Sequence, residues 1–282
     1  MNRSRHARKM KKISRLGVLV GIGSMATLLS LVACDKKEDA KPVAPAASSL
    51  APSVAAPTSL VVKMKIDKGV TKIEMPAPDE KIKADTSVAL GNVDVDLMDL
   101  TQTRGEVKVD LTSLKMNTFS EAPKNATQTM HALAWLEAGD PGKAKLADDV
   151  KAQNKYAVFA IRSIDGVTEK DLTKVTATTA NGMDVRSVDL VAHGELLIHG
   201  HKLNKDVPLT VKISHAAGAA ATEKPKSIAI VTKAPLKVTL AEHEVRPRDD
   251  AGKIAKAAFA LIGTKVAETA SISMDFSALP VE

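Results

Sequence analysis

Residues 187–214 read SVDLVAHGELLIHGHKLNKDVPLTVKIS. The first half alternates. Val188, Leu190, Ala192, Leu196 and Ile198 share one parity, while Asp189, His193, Glu195 and His199 share the other. Side chains two apart lie on the same face of a strand, so this period predicts one apolar and one wet face. Residues 200–206, polar except for Leu203, read as a turn. Val207, Leu209, Val211 and Ile213 then resume the alternation against Thr210 and Lys212. Pro208 has no N–H to give a ladder, so its N-side must face no partner. Two strands joined in this way need more sheet around them to be stable.

That sheet is legible on both sides of the hairpin. Residues 60–66 are a predicted first strand, with Leu60, Val62, Met64 and Ile66 on one face, and 72–75 a second, short one. Residues 81–90 and 92–97 alternate weakly around Gly91, which suggests a bulge there. In 103–114, Val107, Val109 and Leu111 face in, and Glu106, Lys108 and Asp110 face out. Further strands are expected at 156–164, 172–178, 227–232, 236–240 and 267–279; in the last, Ala270, Ile272, Met274 and Phe276 share a face. Residues 125–138 predict a helix with Met130, Leu133, Ala134, Trp135 and Leu136 as its apolar stripe, stopped by Asp140-Pro141-Gly142. Residues 249–262 read as a second short helix, with two acids at its start and Gly263 past its end. The expected class is mainly β, an antiparallel closed barrel or tightly curved sheet of about eight to ten strands.

The motifs carry a resemblance. Gly194 to Gly200 (GELLIHG), a short polar turn and Val207 to Val211 (VPLTV) resemble the signature of YceI-like proteins. Its usual form is a G-x-L-x-I-x-G strand, a turn commonly containing Lys, and an apolar strand often containing Pro. Residues 103–114 (TRGEVKVDLTSL) are similar to the family's G-x-x-x-V-D-L-x-S-L strand, and 238–247 with 267–279 to its closing strands. The family's aromatic pair and Pro-rich approach to the strand after the helix are not evident, which leaves the shape of the mouth open. The resemblance implies a lipocalin-like periplasmic barrel that holds a polyisoprenoid or another long-chain lipid. The inward positions that such a ligand would meet are Val107, Val109, Leu111, Val188, Leu190, Leu196, Ile198, Leu209, Val211, Ile272 and Met274. Trp135 is either a further contact or plain helix packing. Arg104, Arg246 and Arg248 read as surface arginines, with a headgroup rim as the alternative.

The N-terminus is read as an address. Arg3, Arg5, Arg8, Lys9, Lys11, Lys12 and Arg15 precede an apolar run at 16–33, with no acidic residue before Asp35. A basic start and an apolar middle describe a secretory signal peptide. Leu31-Val32-Ala33-Cys34 resembles the bacterial lipobox, in which the cysteine receives a diacylglyceryl group. A transmembrane anchor is the competing reading of an apolar run of that length. The position of the chain's single cysteine at its end favours the lipoprotein. The expected organisation is a signal peptide at 1–33, an acylated Cys34 with an Ala/Pro-rich tether at 34–58, and a barrel at 59–282. The expected location is the periplasmic side of the envelope, on either the inner or the outer membrane.

Composition excludes other classes. The whole chain has 40 basic and 33 acidic residues; without the seven cations of the leader it has 33 of each. A neutral chain with six aromatic residues offers neither the charge nor the stacking surface of a nucleic-acid binder. One cysteine builds no internal disulfide and no thiolate metal cluster. His199 and His201 lack a convincing third ligand, so no metal is expected, and no cofactor. Asp94, Asp96 and Asp110 read as a solvated face rather than an acid–base pair. No nucleophile, phosphate-loop or zinc motif occurs, so a non-enzymatic role is expected. Two roles stay open: lipid binding inside the barrel, or a structural envelope protein whose barrel its own side chains fill. Cys34→Ser is expected to abolish acylation, read by mass spectrometry of the N-terminal peptide. Continued processing of the variant by the lipoprotein peptidase would overturn the lipobox reading.

Overall fold

The computed structural model describes residues 60–76, 78, 80–256 and 266–282. The signal peptide, Cys34 and the tether lie outside them. The strands expected at 60–66 and 72–75 are one strand, β1 (Val61–Pro76). A register shift between Ile66 and Lys68 inserts one residue. The inserted residue flips the inward parity from Met64 and Ile66 to Thr71, Ile73 and Met75. That flip makes one strand look like two in a period-two reading.

The next strands break in the same way. β2 (Lys81–Thr86) and β3 (Ala89–Asp96) part at Ser87–Val88 rather than at Gly91. β4 (Arg104–Asp110) and β5 (Lys115–Met116) part at a 3-10 turn, Leu111–Ser113. Helix α1 (Ala122–Trp135) begins earlier than expected and ends earlier, with Glu137 at φ 51° just beyond it. It is therefore stopped before Asp140-Pro141-Gly142. A short helix α2 (Asp148–Gln153), which no apolar period announces, precedes β6 (Tyr156–Asp165). The strand expected at 172–178 is instead a 3-10 turn at Leu172–Lys174 followed by β7 (Thr178–Ala180).

The opening hairpin is longer and tighter than its sequence suggests. β8 (Met183–Ile198) and β9 (His201–Ala216) pair in register from Met183↔Ala216 to Ile198↔His201. Only His199 and Gly200, at φ 51° and 78°, turn the chain. Positive φ at both central residues gives the twist that a two-residue hairpin requires. Residues 201–206 are strand, not turn. Pro208 is tolerated because its backbone faces Lys233, just past the end of β10 (Ser227–Thr232), where Lys233 N–H donates to the Pro208 carbonyl. β11 (Leu236–Thr239) and β12 (Thr269–Pro280) complete the sheet. The described part of the expected second helix, residues 249–256, is a tight turn closed by an Arg248–Ile254 bridge. The Asp249 carboxylate accepts the N–H of Ala251 and Lys253 there.

The order β1-β3-β4-β6-β8-β9-β10-β12, with β12 pairing back to β1, closes an eight-stranded antiparallel barrel. The fold is mainly β, as the alternation predicts. At the end near Pro76 the sheet divides. β2 and β5 extend from β1, and β11 pairs only with β12, while 201–208 of β9 pair only with β8. The opposite end is plugged by Leu97, Leu100 and Leu172.

The plug uses a repeated device. Asp99-Leu100-Thr101, Asp110-Leu111-Thr112 and Asp171-Leu172-Thr173 each start a 3-10 turn. In all three, the aspartate accepts the threonine N–H and, at 2.6 Å, its hydroxyl, while the leucine is buried. The two basal copies also hydrogen-bond through the backbone to each other's neighbourhood, Leu100 N–H to Lys170 and Leu172 N–H to Leu97. Asp110 and Asp96 are thus buried turn-formers and not part of a solvated face; Asp96 accepts the N–H of Met98 and Asp99.

The motif glycines mark close backbone approach. Gly105 and Gly194 flank Ile161 in one row across β4, β6 and β8. A Cβ at Gly194 would lie 2.3 Å from the Ala160 carbonyl oxygen and 2.6 Å from the Phe159 ring; at Gly105 it would lie 2.4 Å from the Asn92 carbonyl oxygen. Gly194→Ala and Gly105→Ala are each expected to destabilise the fold by about 1–3 kcal/mol, measured by urea unfolding. An unchanged midpoint would mean that these strands separate at no cost.

Candidate functional site

Inward alternation around a closed sheet makes a cavity. Its volume is about 490 Å³, and it runs from Met64, Ile164 and Ile213 near the base to α1 and residues 240–245 at the mouth. Val107, Val109, Leu111, Trp135, Val188, Leu190, Leu196, Ile198, Leu209, Val211, Ile272 and Met274 all line it. The strand positions meet because each lies on the inward parity of its strand. Leu111 reaches the cavity from its 3-10 turn rather than from a strand.

Helix α1 faces the cavity with a different stripe from the one expected. Gln128, His131, Ala132, Trp135 and Leu136, spaced at three and four residues, line it; Met130, Leu133 and Ala134 do not. A search for apolar periodicity passes over this face because two of its members are polar. Phe159 and Ile161 on β6 also line the cavity. Their strand was legible, but no motif singled them out. Gln128 and His131 additionally border an outer groove with Phe119, Pro123, Lys124 and Thr127, so they stand between interior and surface.

The chemistry of the wall is simple. Among the described residues the cavity is lined by no Lys, Arg or Asp, and its ionisable groups are Glu80, His131 and His243. His243 is fully buried, and burial holds its imidazole below the usual histidine range. Its Nδ1 lies 3.4 Å from the Ile198 carbonyl oxygen.

The mouth is tied together by charge. His199 Nε2 lies 2.9 Å from Glu137 Oε2, and its Nδ1 lies 3.0 Å from the His243 carbonyl oxygen. Both ring nitrogens of His199 thus face an oxygen. Arg248 donates to Glu137 Oε1 at 2.6 Å and to the Gly252 carbonyl at 3.1 Å. One carboxylate therefore joins α1, the β8–β9 turn and the 240–254 segment. Lys205 reaches Glu242 at 3.3 Å across the division between β9 and β11. Glu137, His199 and Glu244 all adopt positive φ, near 50°. Non-glycine residues are held there only where their surroundings fix them.

These contacts locate several residues named from the sequence. His199 and His201 have ring centroids 6.2 Å apart, but His199 is committed to Glu137 and His243. The described residues contain no cluster of three or more His, Cys, Asp or Glu suited to a metal. Arg246 and Arg248 are at the mouth, whereas Arg104 is at the opposite end, bonded to the Thr101 and Thr103 carbonyls. None of the three lines the cavity.

The His199 hydrogen bond, with the Arg248 charge adding to it against the opposing effect of burial, lowers the Glu137 carboxyl below its usual range. A lowered carboxyl stabilises the fold above its unfolded-state pKa and ceases to do so as pH falls through the folded value. Glu137→Gln is expected to cost about 1–3 kcal/mol at neutral pH, and the cost should shrink as pH falls below about 4.5. Thermal unfolding of both proteins against pH checks this; a cost that does not change with pH would assign it to packing.

No family model matches the chain, and no curated protein matches it. Solved structures that it resembles include a polyisoprenoid-binding domain from Saccharophagus degradans implicated in plant cell wall breakdown. That match has 13% identity and a TM-score of 0.45, covering 78% of this chain and 99% of the other. BcnA of Burkholderia cenocepacia matches at 15% identity and a TM-score of 0.42, covering 75% and 98%. The YceI protein of Campylobacter jejuni matches at 14% identity and a TM-score of 0.39, covering 71% and 85%. These are likenesses in structure to a YceI protein, to BcnA and to a polyisoprenoid-binding domain, at low sequence identity.

Proposed function

We propose that this chain is a cell-envelope lipoprotein whose barrel holds one long apolar lipid, an isoprenoid, quinone or fatty-acyl chain, for sequestration or transport. The observation that carries the reading is the hollow, aliphatic interior of about 490 Å³. Ligand pockets commonly have volumes of about 300–1,000 Å³. A barrel filled by its own side chains, the structural alternative, would leave no such space. Each 100 Å² of apolar ligand surface withdrawn from water contributes about 2.5 kcal/mol, so a long chain needs few polar contacts to be retained. The scarcity of ionisable groups on the wall, where Glu80, His131 and His243 are the ones present among the described residues, suits sequestration. Acylation at Cys34 would hold the barrel at the periplasmic face of a membrane, with residues 34–58 as the tether.

Native mass spectrometry of the full chain purified from a bacterial host, with organic extraction of what co-purifies, tests the proposal. A stoichiometric adduct that extracts as an isoprenoid or acyl lipid is expected. A clean apo mass that persists after incubation with quinones and fatty acids would return the protein to the structural class.

A further inference from the structure

Two threonines interrupt the apolar wall at one place. Thr71 on β1 and Thr86 on β2 face each other in register, and both line the cavity. They are 4% and 1% exposed. Neither hydroxyl has a hydrogen-bond partner among the described residues. The other polar wall residues are differently placed. The Thr103 hydroxyl accepts the Asp96 N–H, whereas the other unmet wall groups among the described residues lie at the mouth: Gln128, whose amide nitrogen approaches Glu80 at 3.5 Å while its oxygen has no partner, and His243, whose Nε2 has none.

The position of the pair is specific. It sits where β1 exchanges β3 for β2 as its partner, five residues below the strand end at Pro76. At about 3.3 Å per residue, the pair lies roughly 16 Å along the strand from its end. Valine would fill the same space and leave no unmet hydroxyl. Directly opposed residues of an antiparallel pair have Cβ atoms about 4.5–5.5 Å apart, close enough for one oxygen to meet both side chains.

We infer that Thr71 and Thr86 form a polar subsite for a neutral oxygen function of the bound lipid: an alcohol, a ketone or quinone carbonyl, or an amide. The inference rests on the carrier reading above and narrows it. Each hydroxyl both donates and accepts, so the pair serves a ligand hydroxyl or a carbonyl equally well. A carboxylate or phosphate is excluded from this depth. Among the described residues no Lys or Arg lines the wall, and an unpaired charge in such a place is strongly disfavoured. An anionic lipid would have to leave its head at the mouth and give up the subsite.

The test uses Trp135, the only tryptophan in the chain, which lines the cavity and reports occupancy by its fluorescence. The delipidated full chain is titrated with geranylgeraniol, with the hydrocarbon of the same skeleton and with geranylgeranoate. In the Thr71→Val/Thr86→Val double variant, the ratio of alcohol to hydrocarbon affinity is expected to fall about tenfold, the scale of one neutral hydrogen bond. Thr71→Ser/Thr86→Ser should retain the wild-type ratio, and it carries the comparison if the valine variant does not fold. An unchanged ratio in the valine variant, or a lowered one in the serine variant, removes the subsite and leaves the carrier reading standing. Geranylgeranoate binding as tightly as the alcohol, with equal sensitivity to the valine changes, overturns the neutral assignment. If no probe perturbs Trp135 in the wild-type protein, the carrier reading and the subsite fall together.

Discussion

Everything in this molecule depends on the pairing of its last strand with its first. β12 runs along β1 from Glu74↔Ser271 to Met64↔Pro280 and closes the eight-stranded ring. Closure turns a simple alternation into an enclosed volume, since all inward side chains then converge on one axis. Those side chains are mostly Val, Ile, Leu, Ala and Met, and here they leave the axis of the eight-stranded ring open. Phe159, Phe276 and Trp135 supply the few large contacts. In this barrel the low aromatic content goes together with an unfilled interior.

Curvature is bought with irregularities, and their placement is systematic. The bulge in β1 near Asp67, the break at Ser87–Val88 and the shift in β6 around Arg162 each change which parity points inward. The Gly105–Ile161–Gly194 row draws neighbouring strands close on one flank. At the base, Asp-Leu-Thr turns let a loop bury a leucine while the aspartate satisfies the backbone groups that the turn exposes. At the mouth, the same need is met by Glu137, His199 and Arg248, which join segments that no ladder connects.

The sequence made the barrel readable where parity was uninterrupted. The 188–198 run and Val107 with Val109 announced their inward faces directly, and the cavity wall followed from those faces. Reading failed where position rather than period decided. Residues 201–206 are polar because their half of β9 has lost its β10 neighbour, not because the chain reverses there. The cavity face of α1 was missed because Gln128 and His131 are polar members of an inward stripe. Thr71 and Thr86 belong to strands whose parity is flipped by a bulge and a break, so nothing local marks them as facing one another. The Asp-Leu-Thr repeat was visible in the sequence, but only the structure shows that its three copies make the same turn.

The division of the sheet separates two kinds of stability. Around the base every barrel strand has hydrogen-bonded neighbours on both sides, and breaking that ring is equivalent to unfolding. Near the mouth, β9 and β11 are joined through side chains and the 240–254 segment. That half can open as a local unit, on its own timescale, without disturbing the ring below. Amide hydrogen exchange along a single long strand such as β9 should therefore be graded, slow beyond Leu209 and faster toward His201. The barrel behaves as a rigid cup with a compliant rim, and the rate at which the rim opens can change through mouth residues alone while the thermodynamic stability of the cup stays fixed.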